Sequence, residues 1–358
     1  MTHQHVVFFD DTAVVGGHQI SAVTAARLLQ RTHRVTFVVS TANERLAELL
    51  REAGVAVVTI APPPRLHAVR AIFGTGEVRR VLRELRPDVV VAVQGNILLA
   101  TRGIQAARRE GLRAVSFIPM ALGSPRSARD RVWAAIGRYY YRRPDAFITT
   151  SKSAAEALRR SGVRSPIHLA YYGPDLASLR PVARVESSTY TIAIIGRVVF
   201  SHKGHDVLLR ALPRLPDVRL LVVGDGPDDA RLDTLARELG VTDRIERVAW
   251  TNDMAPVYAA ANLIALPSRF EGLPLVMLEA MYARLPIVAS AVDGMLEVLP
   301  PDWLFPAEDV EALVRTIARL RANDLSEAIE RNYRLIVEQM NAERFGEAFA
   351  RGLSEEKC

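Results

Sequence analysis

Residues 263–290 read LIALPSRFEGLPLVMLEAMYARLPIVAS. Leu263–Leu266 is a short, unbroken apolar run. A loop carrying Glu271 and Gly272 follows it. Pro274 then opens an apolar stretch of helical length that runs to Tyr282, and Ile287–Ala289 is apolar again. The order is strand, loop, helix, strand. Strands without polar alternation are buried on both faces, and a helical crossover makes their pairing parallel. The stretch therefore predicts one βαβ piece of a doubly wound sheet.

Outward from this piece the alternation continues. Tyr190–Ile195, Arg219–Val223 and Ile245–Ala249 read as strands, with helical spacing over His205–Leu212, Ala230–Glu238 and Met254–Ala260. Nearer the N-terminus the same pattern sets strands at Val6–Phe9, Val35–Val39, Val55–Ile60, Val89–Val93, Ala114–Ile118 and Ala146–Thr149. Helices are expected at Gln19–Gln30, Asn43–Ala53, Gly76–Leu85 and Ser153–Ser161. A chain of 358 residues has room for about two domains. The expected division is an N-terminal Rossmann-like domain over 1–183 and a second over 184–340. Gly173–Ser188 forms the hinge, and a helix over 341–358 packs back on the first domain. The tail Leu325–Leu353 reads as helical and amphipathic. Ligands of open α/β sheets bind beyond the carboxyl ends of the strands, so a central cleft between the two sheets is the default site.

Hydrophobic residues make up 49% and charged residues 24%, which excludes a disordered chain. No run approaches the ~18 apolar residues of a spanning helix. Asp10 and Asp11 stand where a secretion signal would be apolar, and no such signal is read. Cys358 is the single cysteine, which excludes a disulfide framework and a cysteine-built metal site. A reducing cytoplasm is the simplest compartment. Residues 1–183 hold 26 Lys+Arg and 13 Asp+Glu, and residues 184–358 hold 20 and 27, so the halves carry +13 and −7. The basic half suits an anionic membrane, a phosphorylated acceptor or nucleic acid, or is a solvated surface.

Two stretches carry chemistry. Gly196-Arg197 follows the strand Tyr190–Ile195, and Lys203-Gly204 follows shortly after. An Arg fork and a Lys point charge at a strand end match phosphate oxygens, although either could equally be a solvated loop residue. In the second stretch Pro274 suits the first helical turn, so the amides near Leu275 and Val276 would point outward at a positive helix end. Glu279 is expected about two turns inside an otherwise apolar helix. A buried carboxylate needs a partner, and vicinal ribose hydroxyls would serve, while a surface stripe is the structural alternative.

The joint set GRVVFSHKGHDVLLRAL (196–212), VVGDGP (222–227) and PSRFEGLPLVMLEAMYARLPIVAS (267–290) resembles the GT-B retaining glycosyltransferases of family 4, also called group 1. The resemblance is strong over Tyr190–Leu299. Over 1–183 it rests on Gly16-Gly17 after the first strand and on RPDVVVAVQ (86–94). It implies two Rossmann-like domains facing a cleft, and transfer of a sugar from a UDP- or GDP-sugar to an acceptor hydroxyl in polysaccharide, glycolipid or glycoconjugate synthesis. It also implies site roles. Arg197 and Lys203 would hold the diphosphate. Glu271 and the amides of Gly272 and Leu273 would orient the sugar. Leu275 and Val276 would offer amides to phosphate, Glu279 would take the ribose, and Val248 would contact the base through its backbone. Gly16 and Gly17 would let the first domain approach the donor. No metal and no cofactor beyond the nucleotide-sugar co-substrate is expected.

Two departures stand out. The family commonly places a His after the strand corresponding to Ala114–Ile118; here Pro119-Met120 stands there. Asp293 occupies a position where Gly or a small residue is usual. His18 and Met120 are the acceptor-side candidates, and His18 is also read as a helix cap. The expected acceptor is a carbohydrate or a lipid-linked carbohydrate. The arginines of 65–86 and 126–143, interleaved with apolar and aromatic residues, suit peripheral contact with an anionic membrane on its inner face, or pack into their own core. A non-catalytic nucleotide-sugar binder, an epimerase and a phosphorylase remain the alternatives. Nucleic acid has only net charge in its favour and is not expected as a partner.

Overall fold

The computed structural model describes residues 3–63, 74–119, 136–176, 179, 189–251 and 253–354. The chain forms two compact units, Met1–Tyr172 with Ala342–Cys358, and Gly173–Asn341.

The first unit carries β1 (His5–Asp10), α1 (Gly17–Leu29), β2 (Arg34–Ser40), α2 (Glu44–Glu52), β3 (Ala56–Ile60) and α3 (Gly76–Leu85). These are followed by β4 (Val89–Val93), α4 (Thr101–Arg109), β5 (Arg113–Phe117), β6 (Ala146–Thr149), α5 (Lys152–Arg160) and β7 (Ile167–Leu169). The sheet order is β3-β2-β1-β4-β5-β6-β7, and every pairing is parallel. Every residue of β1 and β4 is buried, as their continuous apolar runs require. The direction of winding switches between β1 and β4.

The second unit carries β8 (Tyr190–Ile195), α6 (Phe200–Lys203), α7 (His205–Ala211), β9 (Val218–Val223), α8 (Asp229–Glu238), β10 (Ile245–Val248) and α9 (Ala255–Ala260). Then come β11 (Leu263–Leu266), α10 (Leu275–Tyr282), β12 (Ile287–Ser290), α11 (Met295–Val298), β13 (Leu304–Phe305), α12 (Val310–Ala322) and α13 (Ser326–Glu338). Its order, β10-β9-β8-β11-β12-β13, is again wholly parallel, with the switch between β8 and β11.

The tail is two helices rather than one. Helix α13 ends at Glu338, where Gln339 turns the backbone (φ −127, ψ −33), and α14 (Ala342–Leu353) starts afresh. Helix α14 belongs to the first unit. Its Phe345 and Phe349, both fully buried, close an aromatic cluster with Phe8, Phe117 and Tyr172 at ring separations of 5.2–6.3 Å. Each such ring contributes about 1.5–3 kcal/mol by leaving water. The chain leaves and re-enters this unit at adjoining points. A Cβ on Gly173 would stand 2.2 Å from the Met340 carbonyl, so only glycine permits that approach.

The arginine-rich stretches are described in part. Arg65, Arg70, Arg126, Arg129, Arg131, Trp133 and Met120 lie outside the described residues. Arg79 and Arg83 pair with Glu110 (2.5 and 3.2 Å), and the Arg143 guanidinium covers the Tyr139 ring at 4.2 Å. Tyr141 is buried, so that face packs inward. Among the described residues no helix is long and apolar enough to cross a membrane.

Candidate active site

In the second unit the loops after β8 and β11 meet at the switch point, where open α/β sheets hold ligands. Gly196 ends β8 at φ +140, and the Lys203 side chain lies over it, with Cε 3.5 Å from a Cβ built there. Gly204 (φ +68) separates α6 from α7. A Cβ there would stand 2.0 Å from the Pro267 carbonyl, so this glycine lets the lysine loop press against the β11 loop. The two loops are then tied by Arg269. Its amide donates to the His202 carbonyl (2.8 Å), and its guanidinium takes both Asp206 carboxylate oxygens at 3.0 Å. The His202 and Phe270 rings stack across the same junction, 4.3 Å apart and 6° from parallel.

This brings Lys203 and Glu271 together. Lys203 Nζ donates to Glu271 Oε1 at 2.5 Å, and Ser268 Oγ donates to the same oxygen at 2.9 Å. Burial pushes the Glu271 carboxyl towards its neutral form. The charge of Lys203, with His202 and the two hydrogen bonds, outweighs that and holds its pKa below the ordinary value. The Glu271 amide donates to Asp293 Oδ2 at 2.8 Å. Asp293 accepts it from a backbone in the left-handed region, φ +45, which explains why glycine suits this position and what the aspartate adds. Arg197 is exposed and, among the described residues, makes no hydrogen bond or ion pair. Of the two cations, then, Lys203 is engaged and Arg197 is open.

Helix α10 begins at Leu275, so Pro274 is its N-cap and not its first helical residue. The Pro274 carbonyl receives the amides of Met277 and Leu278. The amides of Leu275 and Val276, and those of Gly272 and Leu273 just before, have no hydrogen-bond partner among the described residues. Four amides of the loop and of the positive helix end are thus unpartnered among the described residues, an arrangement that favours an anion. Glu279 is the fifth residue of α10, nearer its start than the two turns expected, because the helix begins one residue later. Its partner is Tyr258, whose hydroxyl donates to Oε2 at 2.6 Å. Burial raises the Glu279 pKa, and the tyrosine partly offsets that. Val248 ends β10, and its carbonyl already accepts the Gly224 amide at 2.9 Å.

Gly16, Gly17 and His18 belong to the first unit, at its own switch point. Gly16 is the N-cap of α1, and its amide donates to Gln19 Oε1 at 2.7 Å. His18 is therefore inside the helix and does not cap it. Its ring lies against Gly95, just beyond β4, and Nε2 is buried without a partner. Burial lowers its pKa to about 4. Asp10 ends β1 fully buried, and burial raises its pKa to about 6. Asp11 faces the buried Arg102 at 3.6 Å. Among the described residues no group of three or more His, Cys, Asp or Glu is placed to hold a metal ion.

Comparison with known proteins shows the family. Residues 189–323 match the Glycosyl transferases group 1 family, and residues 15–178 match Glycosyltransferase Family 4. The chain belongs to the family-4 (group 1) glycosyltransferases. It is a GT-B enzyme that transfers a sugar from a nucleotide-sugar to an acceptor. It is 27% identical over 333 residues to the lipopolysaccharide core biosynthesis glycosyltransferase LpsE of Rhizobium meliloti, covering 85% of this chain and 92% of that one. It is 28% identical over 258 residues to an uncharacterized glycosyltransferase of Haemophilus influenzae, covering 70% and 71%. The fold matches the crystal structure of Anabaena HepE in complex with UDP and glucose with a TM-score of 0.82 at 18% identity, over 98% and 99% of the two chains. Two residues that hold this candidate site together were missed in the sequence. Tyr258 lies 21 positions upstream of Glu279 on another helix, and Arg269 reads as an ordinary loop cation.

Proposed function

We propose that the donor is a UDP-sugar, bound by the second unit, and that the sugar passes with retention to a hydroxyl of a carbohydrate or lipid-linked acceptor held by the first. The observation that carries this is the unpartnered set beside the β8–β11 switch point: Arg197 and the amides of Gly272, Leu273, Leu275 and Val276. A diphosphate supplies the charge that such a set lacks. Lys203 would share that charge and stabilise the phosphate as it leaves. Glu271 would then orient the sugar, Glu279 would accept the ribose hydroxyls, and Val248 would face the base. Gly16 and Gly17 would admit the donor from the side of the first unit, and His18 would border the acceptor. Complexes of HepE with UDP and with UDP-glucose support the choice of base, and the kinship with LpsE supports a cell-envelope polysaccharide as product. The reaction is assigned to the cytoplasm, with exposed arginines such as Arg80 and Arg138 available to the inner membrane face.

The test is a thermal-shift panel of UDP, GDP, ADP and TDP. A ligand that binds only the native state raises the melting temperature by mass action. Selective stabilisation by UDP is the expected result. Equal shifts by all four, or a shift by GDP alone, would overturn the choice of base.

A further inference from the structure

We propose that His202 is a positioning residue of the donor site: when the diphosphate draws Lys203 away, the ring takes a second proton from solvent, at Nε2, and donates it in a hydrogen bond to the Glu271 carboxylate. The proposal rests on the donor reading above. In the free protein Glu271 Oε1 is shared by Lys203 Nζ at 2.5 Å and Ser268 Oγ at 2.9 Å. A third polar group waits beside them. His202 Nε2 is buried, makes no hydrogen bond, and stands 3.8 Å from that same oxygen. That is about 0.6 Å beyond the upper hydrogen-bonding distance.

The ring is held in this place and no other. It lies flat against Phe270, the residue before Glu271, at 4.3 Å and 6°. Its own carbonyl is pinned by the Arg269 amide at 2.8 Å. His202 thus moves with the loop that carries Glu271, while Lys203, on the end of a flexible stem, can turn towards an anion. The Phe270 backbone carbonyl takes the other ring nitrogen, so Nε2 gains its hydrogen only with a second proton; Glu271 across the junction favours that proton, and Lys203 beside it opposes it until it turns away.

A diphosphate next to Gly196 competes for the Lys203 ammonium. Glu271 is almost fully buried, and a buried carboxylate that loses its main donor becomes costly. Without a replacement, that cost is charged against donor binding. Once the protonated ring closes that gap, the carboxylate again has two donors, Ser268 and His202, and stays ionised and aimed at the sugar.

The experiment is calorimetric titration of the full chain with UDP and with UDP-glucose, for wild type, His202→Phe, His202→Gln, Glu271→Gln and the pair His202→Phe/Glu271→Gln. Phenylalanine keeps the stack and removes the donor; glutamine restores a donor at similar reach. The expected result is about tenfold weaker binding of both ligands by His202→Phe, the loss of one hydrogen bond to a charged group. His202→Gln recovers most of it. The substitution His202→Phe has no further effect once Glu271 is Gln. Melting temperatures of the unligated proteins separate this from simple destabilisation. If wild type binds UDP and His202→Phe binds it equally well, the inference fails and the donor reading stands. An equal loss in the Glu271→Gln background also overturns it. If wild type binds neither ligand, both fall together.

Discussion

Tyr258→Phe removes one oxygen atom and leaves the ring packing intact. Tyr258 is 2% exposed, and its hydroxyl gives Glu279 Oε2 a 2.6 Å hydrogen bond. Hydrogen bonds to charged groups contribute about 1.5–3 kcal/mol, and the short distance and burial favour the upper part of that range. The unligated variant should lose about 2–3 kcal/mol at neutral pH. The loss should depend on pH in a fixed direction. Burial already raises the Glu279 pKa, and the tyrosine holds it down. Removing the hydroxyl lets it rise further, so the penalty is full well above the folded pKa and shrinks as pH falls through it. Urea denaturation from pH 4 to pH 8 measures this, read as a lower midpoint at unchanged slope. A loss below about 0.5 kcal/mol, or one independent of pH, would refute the claim that this hydroxyl supports an ionised Glu279.

Lys203→Met strips Glu271 of its main counter-charge and should cost about 3–5 kcal/mol of stability, while Lys203→Met/Glu271→Gln recovers most of it; denaturation of both variants decides this. Asp10 has its pKa raised by burial to about 6 from 3.8, so its contribution is greatest at low pH and is lost as pH rises from about 4 to about 6. The stability difference between wild type and Asp10→Asn should therefore move by about 2.4 kcal/mol in favour of wild type from pH 7.5 to pH 4, and a constant difference would contradict the burial argument. His205 carries the opposite sign. Burial lowers its pKa to about 4, so stability is full above about pH 6.5 and is lost as pH falls towards 4, a slope that His205→Phe should flatten.

Where residues are locally constrained, the sequence was a sufficient guide. The strands Val89–Val93, Ala146–Thr149, Tyr190–Ile195 and Leu263–Leu266 have the bounds their apolar runs suggest, because strands buried on both faces leave no room for polar residues. Strands β7 and β13 escaped notice because three and two residues carry no pattern. Helix α4 escaped because its Arg102, Arg108 and Arg109 hide the apolar face. The break between Glu338 and Ala342 lies inside one amphipathic stretch with no Gly or Pro to mark it, and it falls beside the expected domain boundary at 340/341.

At the site, Arg197 and Lys203 stood out as cations at a strand end and Glu279 as a charge in an apolar helix, while the role of Glu271 came with the family resemblance. Their partners did not. Tyr258 reaches Glu279 from a helix before β11, and Asp293 reaches the Glu271 amide from beyond β12. Such contacts depend on which strands lie side by side, and no local periodicity reports that. Asp293 was visible only as a departure from glycine; its positive φ explains both the departure and its use.

The most direct test of the donor site pairs one protein change with one ligand change. Calorimetry would compare UDP with 2′,3′-dideoxy-UDP on wild type and on Glu279→Gln. If Glu279 accepts the ribose hydroxyls, Glu279→Gln weakens UDP by about tenfold and leaves the dideoxy nucleotide unaffected. Equal losses for both nucleotides, or none for either, would contradict the assignment of Glu279 to the ribose.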